Sequence, residues 1–134
     1  MHGILVDSNV LLDVFLDDSH WADWSQIKLE KYSLNFPLFI NPIIYAEISI
    51  GFEFIELLET VINDCNLKML QIPKEALFLA GKAFLKYRKR SGIKTSLLPD
   101  FFIGAQAAIL NLPILTRDKA RYHSYFPTIE LITP

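Results

Sequence analysis

Four carboxylates stand out for where they fall along the chain: Asp7, Glu47, Asp100 and Asp118. Asp7 closes the short apolar run Gly3-Ile4-Leu5-Val6, and Asp118 follows a second run, Ile114-Leu115-Thr116. Glu47 and Asp100 lie near the starts of helical patterns. If the fold gathers these acids, their like charges repel, and burying them unpaired costs several kcal/mol each. A divalent cation is the simplest compensation, and an all-oxygen donor set points to Mg²⁺ or Mn²⁺ rather than Zn²⁺. Zinc ligation has no motif to carry it. His2, His20 and His123 are scattered, and neither paired cysteines nor His-Glu-x-x-His occurs.

Taken singly, three of the four acids have a plainer reading. Asp7 is a good helix N-cap, as is Asp118 ahead of the short segment after it. Asp100, behind Pro99, suits the first turn of a helix, where a negative charge favours the helix dipole. Glu47 is different: it sits among Ile44, Tyr45, Ile48 and Ile50, and a carboxylate so placed needs a partner. Asp13, Asp17, Asp18 and Asp23 read as solvated charges on the first two helices.

The elements that must position these residues follow from periodicity and punctuation. After the first apolar run come Asp7-Ser8-Asn9, all capping types, and then Val10, Leu11, Val14 and Phe15 at helical spacing. A second helix is expected over roughly residues 20–32. A strand at 38–40 precedes Asn41-Pro42, where proline starts a helix at little cost because its missing N–H would be unpaired there anyway. A helix over 53–64 carries Phe54, Leu57, Leu58, Val61 and Ile62 on one stripe. A third strand is expected at 68–72, followed by a long helix from Pro73 to the neighbourhood of Gly92. Pro99-Asp100 opens a helix rich in small residues, Gly104, Ala105, Ala107 and Ala108, which permit close packing. Strands at 114–116 and 129–132 flank a short turn or helix over 119–125. Alternating strands and helices predict a three-layer α/β/α sandwich around a central, mostly parallel sheet, with ligands at the carboxyl ends of the strands.

Length and composition agree with one domain over residues 1–134, with 51% hydrophobic residues to build a core. The single cysteine, Cys65, excludes an internal disulfide and reads as a reduced, partly buried thiol of a cytoplasmic protein. No secretory signal is visible, and the uncharged stretches 32–46 and 101–116 fall short of the roughly 20 apolar residues a membrane span needs. Net charge is −2, which by itself argues against a polyanion partner, yet the charge is divided unevenly. Residues 1–65 hold eleven acids and two bases, while residues 66–134 hold four acids and eleven bases. Nine of the thirteen Lys and Arg fall in two runs: Lys82, Lys86, Arg88, Lys89, Arg90 and Lys94, then Arg117, Lys119 and Arg121. Such asymmetry points to a polyanion-binding face; for the first run a solvated helix face is an equal reading.

Four segments, in order and spacing, make the chain similar to a known family. They are Val6-Asp7-Ser8-Asn9-Val10-Leu11-Leu12-Asp13, Tyr45-Ala46-Glu47-Ile48, Pro99-Asp100-Phe101-Phe102-Ile103-Gly104-Ala105 and Ile114-Leu115-Thr116-Arg117-Asp118. With these the chain resembles PIN-domain nucleases and, among them, the VapC-type toxins of toxin–antitoxin pairs. The resemblance covers nearly the whole chain. One departure is Pro99, where an Asn or Asp usually precedes the third acid.

The resemblance implies that Asp7, Glu47, Asp100 and Asp118 hold one or two Mg²⁺ or Mn²⁺ ions for hydrolysis of RNA phosphodiesters. Asn9 and Thr116 would orient the carboxylates and water. Arg117, with Lys119 and Arg121, would hold flanking phosphates without reading sequence. It also implies a homodimer and a cognate antitoxin protein. The aromatic first third, including Trp21 and Trp24, is either core packing or a groove for such a partner. Two alternatives belong to other classes. A phosphatase of the haloacid-dehalogenase type also starts with an Asp after its first strand, but it needs a second Asp two residues on, where this chain has Asn9. The other is a non-catalytic metal- or protein-binding domain of the same fold.

Overall fold

The computed structural model describes residues 2–90, 92 and 98–134; Met1, and Lys94 of the first basic run, lie outside the described residues. Five strands form one sheet: β1 (Ile4–Val6), β2 (Leu38–Ile40), β3 (Leu67–Met69), β4 (Ile114–Leu115) and β5 (Leu131–Ile132). Their order is β3-β2-β1-β4-β5, and every pairing is parallel. Leu5 lies beside Phe39 on one side and Ile114 on the other. β1 and β4 are buried throughout, as strands covered on both faces must be. The chain moves outward from β1 through β2 to β3, then returns to the other side of β1 for β4. Strand order therefore reverses between β1 and β4, the place where parallel α/β sheets open a crevice at the carboxyl ends.

The helices are α1 (Ser8–Phe15), α2 (Ala22–Ser33), α3 (Pro42–Ile48), α4 (Ile55–Asp64), α5 (Lys74–Lys89), α6 (Leu98–Leu110) and α7 (Ala120–His123), with a 3₁₀ turn at Ser49–Gly51. They cover both sides of the sheet. The main core joins the strands to Val10, Leu11, Ile44, Ile48, Leu58, Ile62 and Ile103. Phe15, Trp24, Tyr32, Phe36 and Phe39 pack against it, which absorbs most of the aromatic first third. A second cluster lies along α5 and α6: Ala76, Ala80, Ala83, Phe101, Ala105 and Phe126. Gly104 is required there, because a Cβ would stand 2.4 Å from the Phe126 ring.

Local signals account for the helix starts. Asn41 caps α3, its Oδ1 accepting from Ile44 N–H at 2.7 Å, with Pro42 behind it. The Asn41 amide also donates to Gln106 Oε1 at 2.7 Å, and Gln106 donates to the Gln71 carbonyl at 3.1 Å. Several expectations from the sequence are corrected in detail. The second helix begins two residues later than expected because Asp18 accepts from His20 and Trp21 N–H, both at 2.9 Å. Asp18 is thus a structural acceptor rather than a solvated charge. Asp13 is not solvated either: it is 3% exposed and held by Arg117 and Ser25. Glu47 falls in the last turn of α3 rather than near a helix start, because that helix is only seven residues long. Cys65, expected partly buried, is free and exposed, because it follows the last turn of α4 at the surface.

Candidate active site

The site is assembled from the ends of β1 and β4, the last turn of α3 and the beginnings of α6 and α7. Asp7 follows β1 and is completely buried. It is the N-cap of α1, with Oδ1 accepting from Ser8 N–H at 2.8 Å. The capping reading of Asp7 is therefore true, and it does not exhaust the residue. Asp7 Oδ2 accepts from Thr116 Oγ1 and from the Tyr122 hydroxyl, both at 2.8 Å, and from Asn9 Nδ2 at 3.4 Å. Asn9 also donates to Thr116 Oγ1 at 3.2 Å and accepts from Arg117 N–H at 3.2 Å. Asn9 and Thr116 thereby tie the end of β4 to the start of α1 across the strand junction.

Three of the four carboxylates meet on one guanidinium. Arg121 donates from Nη1 to Asp7 Oδ1 at 2.7 Å, from Nη2 to Glu47 Oε2 at 2.9 Å and from Nε to Asp100 Oδ1 at 2.5 Å. Its side chain is only 12% exposed. Ser8 Oγ donates to Glu47 Oε1 at 3.1 Å, so the partner Glu47 needs is Arg121 and Ser8 together. Asp118 is not one of the acids bridged by Arg121. It is exposed; its N–H donates to Thr116 Oγ1 at 3.0 Å and its carboxylate accepts from Arg121 N–H at 3.3 Å. Here the capping reading describes what Asp118 does.

The three predicted phosphate contacts have separate fates. Arg117 grips Asp13 with two bonds of 2.7 and 2.9 Å and lies over the Trp21 ring, 5.1 Å from its centre. Arg121 is engaged as described. Lys119 is exposed, with no side-chain hydrogen bond or ion pair among the described residues. Two participants have little or no mark in the sequence. Ser8 carries a weak signal, its place beside Asp7. Tyr122 carries none, since nothing local marks a tyrosine that is 1% exposed and bonded to an acid 115 residues away.

Three negative charges face one positive charge, and the surroundings are largely dry. Burial raises the Asp100 pKa, opposed by Arg121 and reinforced by Asp7 and Glu47. For Arg121, burial favours the neutral form, but attraction to Asp7, Asp100 and Glu47 outweighs it and the net shift is upward. Burial and the nearby Asp7 push the Tyr122 hydroxyl well above its ordinary range, so it stays a donor to Asp7. The donor types fit a hard divalent cation: all carboxylate oxygen, and more acids than the single resident guanidinium can match. As arranged, however, no three such acids among the described residues are spaced to hold a metal ion. The cation they enclose is Arg121.

The profile of the PIN domain family matches residues 4–125. By sequence, no curated protein matches the chain. Among solved structures, the chain is similar to the DNA-bound VapBC2 complex from Rickettsia felis, with a TM-score of 0.74 at 17% identity over 97% of each chain. It is equally similar in fold to DNA-bound VapBC from Salmonella typhimurium, with a TM-score of 0.74, 18% identity, and 99% and 98% of the two chains covered. A toxin–antitoxin complex from Klebsiella pneumoniae gives 0.69 at 22% identity over 98% of each chain.

Proposed function

The chain belongs to the PIN domain family, and from that premise we propose that it is a metal-dependent endoribonuclease, one catalytic domain acting as the toxin of a toxin–antitoxin pair. The observation that carries this reading is the meeting of Asp7, Glu47 and Asp100, from three separate elements, at the point where strand order reverses. Their charge exceeds what Arg121 neutralises, which is the condition a divalent cation satisfies.

Asp7, Glu47 and Asp100 would hold Mg²⁺ or Mn²⁺, with Asp118 joining from the start of α7. When bound, such a cation acidifies water and offsets negative charge on the phosphate. The chain's own residues supply orientation. Thr116, Tyr122 and Ser8 hold the Asp7 carboxylate in one rotamer, and Asn9 locks Thr116 to it. Lys119 is an exposed cation available to a flanking phosphate. Water adds to phosphorus, the bond to the leaving sugar oxygen breaks, and that oxygen takes a proton. No protein nucleophile is needed.

The toxin role draws support from the neighbours in fold, which are toxin–antitoxin complexes. An antitoxin and a second copy of the chain are the partners this reading implies, and the cytoplasm is the compartment. Exposed apolar side chains at Ile50, Phe54, Ile55 and Leu57 offer partners a surface. No helix among the described residues is long and apolar enough to cross a membrane. The phosphatase alternative is disfavoured by Asn9, whose amide donates to Asp7 and Thr116 where that chemistry needs an acid. A non-catalytic domain has one observation in its favour, the closed Arg121 ion pairs.

The test is cleavage of single-stranded and structured RNA by purified protein with Mn²⁺, with chelator, and with Asp7→Asn. The reading expects cleavage that chelator abolishes and that falls by roughly 10²-fold or more in the variant. Cutting that survives chelator or Asp7→Asn would overturn it.

A further inference from the structure

We infer that Arg121 is a resident counter-ion that competes with a divalent cation for the same three carboxylates, so that the metal-free protein closes its own site. The inference rests on the metal-site reading above and deepens it.

The geometry leaves little alternative use for the side chain. Each of the three guanidinium nitrogens serves a different acid, Asp7, Glu47 and Asp100. Those acids come from positions 114, 74 and 21 residues away, so no local feature of the helix demands the contact. Asp7 Oδ1 and Glu47 Oε2 are the oxygens bonded to Arg121, Asp7 Oδ1 also accepting from Ser8 N–H. The remaining oxygens, Asp7 Oδ2 and Glu47 Oε1, are turned to Thr116, Tyr122, Asn9 and Ser8. A cation held jointly by these three acids would draw on oxygens that Arg121 already holds. Two positive groups at one point repel, so the guanidinium and the metal exclude each other.

The element bearing Arg121 suits release of the side chain without unfolding. α7 is a single turn, and its backbone bonds are long: Arg121 N–H to Asp118, and Tyr122 and His123 N–H to Lys119, all at 3.3 Å. Tyr122, next in sequence, is buried and bonded to Asp7. The turn is thus pinned by Tyr122 while the flexible Arg121 stem can swing outward. Lys119 and Asp118 flank that path, and both are exposed.

Apparent metal affinity is then the intrinsic affinity scaled by the fraction of molecules with Arg121 withdrawn. Removing the guanidinium should remove that penalty. Mn²⁺ binding is measured by electron paramagnetic resonance of the free ion, with thermal melts in chelator and in Mn²⁺. Arg121→Gln should bind Mn²⁺ about tenfold tighter or more than wild type. It should also melt lower in chelator and gain more from added Mn²⁺. Arg121→Lys keeps the charge without the planar fork and should fall between; it also serves if Arg121→Gln fails to fold. Lys74→Gln removes an exposed charge on α5 and should leave Mn²⁺ binding unchanged. Binding detected only in Arg121→Gln supports the inference in its strongest form. Equal or weaker binding by both Arg121 variants overturns it while leaving the metal site standing. Absence of Mn²⁺ binding in wild type and both Arg121 variants overturns it together with the metal-site reading.

Discussion

A single residue here can be a helix cap and part of a long-range acid cluster at once. Asp7 caps α1 through one oxygen, which also pairs with Arg121, and meets Thr116 and Tyr122 through the other. Capping and membership of the cluster are compatible because a strand end that turns into a helix leaves a carboxylate beside free N–H groups. Asp100 shows the electrostatic cost of the arrangement. Burial raises its pKa above the ordinary 3.8 despite Arg121. A carboxyl that holds its proton more tightly when folded adds stability fully below its unfolded value and loses it as pH rises through the folded one. Metal-free wild type should therefore lose stability relative to Asp100→Asn over the pH range upward from the ordinary value of 3.8. Urea melts in chelator across that range measure the difference; a gap that widens in favour of wild type with rising pH would contradict the sign.

At the scale of elements, the segment after β4 is fastened to α1 and α2 by an ion pair. Arg117 grips Asp13 of α1, and Asp13 also accepts from Ser25 of α2 at 2.7 Å. The partners differ in burial: the Asp13 side chain is 3% exposed and that of Arg117 29%. Removing one is therefore not equivalent to removing the other. Arg117→Ala strands a buried carboxylate and should cost about 3–5 kcal/mol. Asp13→Ala leaves a guanidinium that can turn to water and should cost about 1–3 kcal/mol. Denaturant melts of both variants check the order; a larger loss for Asp13→Ala would refute this account of the pair.

For the whole molecule, the division of charge along the chain becomes a division in space only in part. Two of the three late cations are spent inside, on Asp13 and on the acid cluster. Of the two basic runs, the described members that remain exposed are Lys119 and those at 82–90, with Lys82, Lys86 and Arg90 lining a groove of about 230 Å³ beside Ser124 and Tyr125. Arg90 lies over the Tyr125 ring at 5.8 Å. On the ribonuclease reading, a single strand tracking this groove would release counterions as it binds. Combining Lys82→Gln, Lys86→Gln and Arg90→Gln in an Asp7→Asn background should weaken RNA binding alike across sequences. It should also flatten log K against log salt by about 0.7 for each phosphate no longer neutralised. Fluorescence anisotropy over a salt series reads both; an unchanged slope would mean the α5 run is a solvated face only.

Most elements were legible because their signals are local. Strand runs, the Asn41-Pro42 helix start and the small-residue helix bearing Gly104 all depend on neighbours within a few residues, and the structure has them within two or three positions. The prominence of Asp7, Glu47 and Asp100 was also local, since each sits where an element begins or ends. What the tertiary structure alone decided is which groups answer those carboxylates. Arg121 reads as a phosphate contact from its place in a basic run, and it reaches Asp7 across 114 residues and Glu47 across 74. Asp118, similar to the others on paper, remains outside the cluster bridged by Arg121 and caps a turn. Strand order, with β1 between β2 and β4, and the burial of Tyr122 belong to the same class. A local pattern says that an acid needs a partner; long-range packing and the balance of buried charge choose the partner.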